Sequence, residues 1–395
     1  MGQMGCCQSE NKKSLLEESH KVNNQENVTS IISQNNNNSN GITTQVNENI
    51  KGNINDNPPL KLSQNEIATS TISFNKNPNN SILSNDSKNK MTQLISSYNE
   101  TTNFNLGTGN SLFSCINTFE AHDDKIVSLI ELSNTNIASG SYDSTIKIWD
   151  VASQRCINTI QENGNVLCLL EFEPNILLCG TDENVIHQWD VNYSNKNLFS
   201  FEGHLLWVNC LAKCDDNYFA SGSNDSDIRV WDYQNKKCDN ILKGHTNCVL
   251  TLIALKDGNL CSGSADLTIK IWEWEKGACT YTLTGHEKWV KCVYELSNGY
   301  IISGSDDKTI KVWKDYEQLN ELKGHTKSVR AFCEINKNLF ASASFDKTIK
   351  IWDINNMSLF QTLTGHAANV ICIMLHSSGY LISCSTDHTI KIWKN

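Results

Sequence analysis

This chain of 395 residues is poor in the usual signatures of chemistry. Its 16 cysteines form no Cys-x-x-Cys pair and no spacing that would gather ligands around zinc. It has no glycine-rich phosphate loop and no nucleophile elbow. No run approaches 18 apolar residues, and the first residues lack the apolar core of a signal peptide. The sequence therefore predicts neither a membrane span nor secretion. Positive charge is also short: 33 Lys and Arg face 43 Asp and Glu, a formal net charge of −10. Beyond residue 111 the balance is 25 against 34; before it, 8 against 9. Such a chain lacks the excess of Lys and Arg that displaces counterions from nucleic acid, though a local basic spot remains compatible with it. These absences predict no catalytic residue, metal site or cofactor, and no nucleic-acid or small-molecule partner.

Tryptophan is missing before Trp149, while 25 of the first 110 residues are Asn, including the run Asn35 to Asn38. Low hydrophobicity with polar runs cannot offset the chain entropy lost on folding, so residues 1–111 are expected to be a disordered, low-complexity tail. Its first residues, MGQMGCCQS, place Gly2 where N-myristoylation needs its acceptor, with Cys6 and Cys7 as a palmitoyl pair. Cys6 departs from the Ser or Thr usual at the sixth position. One acyl chain binds membranes marginally and two bind stably. The expectation is a cytoplasmic protein held peripherally at a membrane surface by this anchor.

What is present is a repeat. SGSYDSTIKIWD from Ser139 returns as SGSNDSDIRVWD, SGSADLTIKIWE, SGSDDKTIKVWK, SASFDKTIKIWD and SCSTDHTIKIWK, with a divergent CGTDENVIHQWD from Cys179. Each copy carries a Trp (149, 189, 231, 272, 313, 352, 393), spaced 39 to 42 residues apart. A fixed period near 40 marks a repeat architecture. Six copies hold a His 27 residues before the Trp: His122, His204, His245, His286, His325 and His366. Within a copy, short runs such as VRAFCEI, LFASAS and TIKIW are rich in branched or aromatic residues and separated by turns, which predicts an all-β fold.

This Gly-His/Trp-Asp pattern over residues 112–395 resembles the WD-repeat family. The resemblance implies a single seven-bladed β-propeller. It also implies a buried hydrogen-bonded tetrad in each blade, in which His122, His204, His245, His286, His325 and His366 join Asp143, Asp225, Asp266, Asp307, Asp346 and Asp387, with a Ser and the Trp. These histidines read as structural because each recurs at the same place in its blade. The lysines of the IKIW runs (Lys147, Lys270, Lys311, Lys350, Lys391) read as one solvated position per blade. Cys168, Cys210, Cys292 and Cys372 share a repeat position with Ser128, Thr251 and Ala331, and read as small buried residues. The chain stops two residues after Trp393, so SCINTFEAH from Ser114 is expected to supply the last blade's outer strand. Blade 2 has Glu162 for His, Glu183 for Asp and Cys179 for Ser. We read it as drift, with the glutamates turned to solvent and little cost to removing Glu162; the sharper alternative is a carboxylate pair that attracts a cation.

A rigid disc with a loop-lined face predicts a scaffold for other proteins or extended peptides. Family partners often bind where the inner strand enters each blade. Here those positions hold Trp207, Asn209, Trp289, Lys291 and Arg330, joined by Tyr142, Asp182, Asp306 and Phe345 before the turn Asp. Trp, Tyr and Arg dominate binding hot spots. Alternatives are a ubiquitin-ligase substrate receptor, although no F-box and no Trp-Asp-x-Arg box is present, or a reader of modified peptides. A G-protein β subunit would need an N-terminal heptad helix, which the Asn-rich tail lacks.

Overall fold

Each repeat needs somewhere to put a strand of small and apolar residues that is buried on both faces. In blade 1 that strand is Ile137–Ser141, buried along its whole length, and the same position is fully buried in blades 4, 5 and 7. It lies second from the axis, between Ile126–Glu131 inside and Thr145–Asp150 outside, with Arg155–Gln161 forming the rim. Seven antiparallel four-stranded sheets of this kind make up the structure, a computed structural model that describes residues 113–192 and 196–395. Gly2, Cys6 and Cys7 lie outside the described residues.

No single core exists. The buried apolar residues fall into seven clusters, each shared by two neighbouring blades. Trp272 of blade 4, for example, packs with Val230 and Leu242 of blade 3. The close approach depends on a glycine in the second strand: a Cβ on Gly140 would lie 2.3 Å from Val166 Cγ1 of the next blade.

The ring closes as expected. Ser114–Glu120 pairs antiparallel with Thr389–Lys394 and becomes the outer strand of the last blade. Gln361 of blade 6 holds the preceding residue, accepting from Phe113 N–H at 3.2 Å and donating to Phe113 O at 3.0 Å. Every rim strand carries a bulge beside the Trp, at Ile157 in blade 1 and Phe360 in blade 6. A bulge breaks the regular ladder that an open sheet edge would offer to another chain.

One expectation fails here. Lys311, Lys350 and Lys391 are buried, and Lys147 and Lys270 half-buried. Lys270, Lys311, Lys350 and Lys391 reach side-chain acceptors directly opposite on the neighbouring rim strand, while Lys147 Nζ donates to Ala121 O at 2.9 Å. Lys350 Nζ donates to Thr362 Oγ1 at 2.9 Å, Lys391 to Thr118 Oγ1 at 2.7 Å, and Lys311 to Glu321 at 2.7 Å. They fasten the rim strand to the blade instead of facing solvent.

Candidate interaction site

The face that receives the inner strands is organised by the repeated polar network. In six blades His Nδ1 lies 2.7–2.8 Å from the turn Asp Oδ2. His Nε2 lies 2.7–2.8 Å from the Ser Oγ. The Trp Nε1–H donates to that same Oγ at 2.8–2.9 Å. Since indole only donates and the carboxylate only accepts, the chain has one consistent direction: Trp to Ser, Ser to His, His to Asp. Sequence reasoning missed a fifth member. The residue two beyond the Asp, Thr145, Thr268, Thr309, Thr348 or Thr389, donates its hydroxyl to Asp Oδ1 at 2.6–2.7 Å. Asp227 replaces it in blade 3 and keeps only the backbone bond.

Burial alone would raise the pKa of these aspartates. Hydrogen bonds from His and neighbouring N–H groups outweigh it, and Asp225 falls to about 2. Burial likewise depresses His122 and His325, against the pull of their Asp partners. In blades 1 and 6 a neutral imidazole thus donates to an ionised carboxylate, since Asp143 and Asp346 are lowered as well.

Blade 2 requires a correction. Glu162 is buried and does not face solvent. One carboxylate oxygen lies 2.7 Å from His187 Nδ1 and the other accepts the Trp189 indole N–H. His187 occupies the position of the IKIW lysine. The acid stands at the His position and the imidazole at the lysine position, so the Trp is held without a Ser and Cys179 remains a buried thiol. Glu183 is exposed, so the two glutamates form no buried pair.

The network fixes the loops above it. In all seven blades the residue before the turn Asp, or before Glu183 in blade 2, donates its N–H to the carbonyl three residues after the His position, as Asp306 does to Trp289 at 3.0 Å. The two classes of predicted surface residue are thereby brought together on one face. In blade 5, Lys291 lies 3.5 Å from Asp306 and over the Trp289 ring at 4.3 Å. Ser328 of blade 6 also donates to Asp306, and Arg330 stacks on Phe345 at 5.0 Å. Asn209 spans to blade 4, donating to Val249 O at 2.8 Å. Tyr142 and Asp182 lie apart, in blades 1 and 2. Lys125 covers the Tyr142 ring at 3.6 Å, and Asp182 accepts from Asn165 through both oxygens.

Trp207 and Trp289 are each 38% exposed. Beside them are three residues that sequence reasoning missed: Leu205 at 75%, Leu206 at 44% and Leu267 at 37%. Among the described residues, every exposed large apolar side chain outside the rim strands belongs to this set, in the loops of blades 3, 4 and 5. Leu267 also holds φ of 73°, a conformation costly for a bulky residue. For the first two, the signal was legible in principle as Leu205-Leu206 following His204, where other blades carry polar or small residues.

The family model described as "WD domain, G-beta repeat" matches residues 113–150, 195–232, 236–273, 277–314, 316–353 and 357–394. The interval it passes over contains Glu162 and His187. Over 152 residues the chain is 32% identical to Mitochondrial division protein 1 of Saccharomyces cerevisiae, covering 38% of this chain and 19% of that protein. It is 27% identical over 184 residues to E3 ubiquitin-protein ligase COP1 of Arabidopsis thaliana, covering 45% and 25%. It is 29% identical over 126 residues to human Pre-mRNA-processing factor 17, covering 30% and 21%. The chain spans a quarter or less of the length of each.

Proposed function

Because the chain belongs to the WD-repeat family, we propose that it is a non-catalytic scaffold that docks protein partners, as extended segments, across the face formed by the inner-strand loops. One observation carries this reading: five exposed apolar side chains are collected on three consecutive blades of that face. Exposed apolar groups that serve no packing role mark interaction surfaces. The polar network supports the reading because it holds the loops rigid, so a partner need not order them on binding. Affinity purification of the full chain, compared by quantitative mass spectrometry with a Leu206→Asp/Trp289→Ala variant, tests it. Partners should be lost with the melting temperature unchanged; recovery of the same set by a folded variant overturns the assignment.

A second reading, a substrate receptor of a ubiquitin ligase, is favoured by the similarity to COP1 and uses the same face. Acylation at Gly2 and Cys6 or Cys7 would place the scaffold at a membrane surface, a reading that rests on the sequence alone. Wild type should then pellet with membranes while Gly2→Ala and Cys6→Ser/Cys7→Ser are released. Equal solubility of all three removes the anchor.

A further inference from the structure

The docking face is segregated by charge. Outside the polar network, the loops of blades 3 and 4 present the apolar shelf; Leu205 to Asn209 and Thr246 to Leu250 contain no Lys or Arg, and Lys243, in the loop entering blade 4, is paired with Asp227 at 3.9 Å. In blades 5 and 6 the equivalent loops carry Lys288, Lys308, Lys327 and Lys347, all exposed, together with Lys291 and Arg330; outside the polar network the acids among them are Glu287 and Asp306. A cationic sector thus adjoins an apolar one within a propeller whose overall charge is negative. Within that sector two cations differ. Lys291 is neutralised by Asp306 at 3.5 Å. Arg330 has no carboxylate within ion-pair distance among the described residues, and its Nε is buried without a hydrogen-bond partner. The guanidinium carbon lies over the Phe345 ring, 5.0 Å from its centroid. A guanidinium set against an aromatic ring and without a carboxylate partner suits a planar anionic group.

We propose that the segment docked here is an acidic–apolar peptide. Its bulky apolar residues cover the shelf of blades 3 and 4, Trp289 sits at the junction, and its Asp or Glu side chains lie over blades 5 and 6, one of them paired with Arg330. This rests on the docking reading above and adds the partner's chemistry. Carboxylates fit better than a phosphate because the cations are spread over four loops of two blades, whereas a phosphate draws on donors that converge on one point. The adjoining apolar shelf calls for a peptide with its own apolar side chains.

Selection of a displayed library of random 16-residue peptides on the full chain is the test. Enriched peptides should place two or more Asp or Glu beside a pair of Leu, Ile, Phe or Trp residues. Their affinity should fall about tenfold with Arg330→Gln, fall less with Lys327→Gln/Lys347→Gln, and weaken with salt. Replacing the peptide's acid by its amide should abolish the difference between wild type and Arg330→Gln. Peptides that need Leu206 and Trp289 but carry no acid, and bind Arg330→Gln equally, overturn the acidic preference and leave the docking face standing. Peptides indifferent to Leu206→Asp/Trp289→Ala overturn the face itself, as does a selection that enriches nothing. Binding only when the acid is replaced by phosphoserine assigns the sector to phosphate and overturns the proposal. Unchanged melting curves separate each loss from misfolding.

Discussion

Blades 6 and 2 hold their tryptophans by different routes. In blade 6 the indole of Trp352 donates to Ser342, which leads through His325 to Asp346. In blade 2 the indole of Trp189 donates directly to Glu162, which also takes His187. Both arrangements end the same donor on an acceptor and keep an imidazole beside a carboxylate. A polar group removed from water must be satisfied, and any residue set that satisfies it in the available volume will serve. The repeat motif is one solution to this requirement, and blade 2 shows another.

The largest effect should come from breaking the exceptional blade. Glu162→Ala strands the indole N–H and His187 together, and should cost about 2–4 kcal/mol, since each buried unpaired group costs about 1–3. Asp346→Ala in blade 6 should cost as much. Denaturation curves that leave Glu162→Ala near wild type would return blade 2 to the status of drift.

Restoring the motif sharpens the comparison. Glu162→His alone removes the acceptor of Trp189 and should be about as harmful as Glu162→Ala. The combination Glu162→His/Cys179→Ser/Glu183→Asp/His187→Lys rebuilds the common network and should recover to within about 1 kcal/mol of wild type. Groups in one network couple strongly, so the four changes should be far from additive.

Acid should weaken the regular blades in two stages. His122 and His325 have pKa values below the ordinary 6.5, so the unfolded chain binds their protons first. Their contribution is complete above pH 6.5 and declines as pH falls below it. Asp225, ordinarily 3.8 and held at about 2, contributes fully above 3.8 and loses that contribution as pH drops through about 2. Melting temperature followed against pH should therefore fall with acidification in both windows; a rise in either would reverse the assigned protonation states.

Smaller effects mark the edge of the network. Thr309→Val removes one hydroxyl donor from Asp307, which keeps its bonds from His286 and the backbone, and should cost about 1 kcal/mol. Leu205→Ala, on the exposed shelf, should change stability by no more than about 0.5 kcal/mol. A large loss there would mean the shelf packs in the native ring and is not a docking surface.

Several features were legible in the chain because a repeat reports them many times over. The recurring Trp and His positions announced blade number, register and the shared network. Closure by Ser114–Glu120 followed from a last repeat that lacks its fourth strand. Legibility failed where one copy departs from the rest. Glu162 looked like an acid that water would claim, because its partner His187 comes 25 residues later, at a position that the other blades give to lysine or arginine. The IKIW lysines looked solvated because strand alternation puts them opposite buried residues, and nothing in that pattern reveals that an acceptor waits for each of them, on the neighbouring rim strand or, for Lys147, at Ala121 O. Leu205, Leu206 and Leu267 were passed over because exposure of an apolar residue in a loop depends on what neighbouring blades leave uncovered.

The sequence by itself determined that this protein repeats an all-β unit of about 40 residues, since hydrophobic period, turn chemistry and repeat length are properties of the chain and constrain each unit locally; its resemblance to the WD-repeat family implied the ring. Tertiary structure decided which polar groups are buried, which of them find partners, and which apolar groups are left facing water. Those are properties of the space between blades, where residues far apart in the chain meet, as Lys213 Nζ and Phe172 O, 41 positions apart, do at 3.1 Å, and where ring closure sets the distance at which they do so.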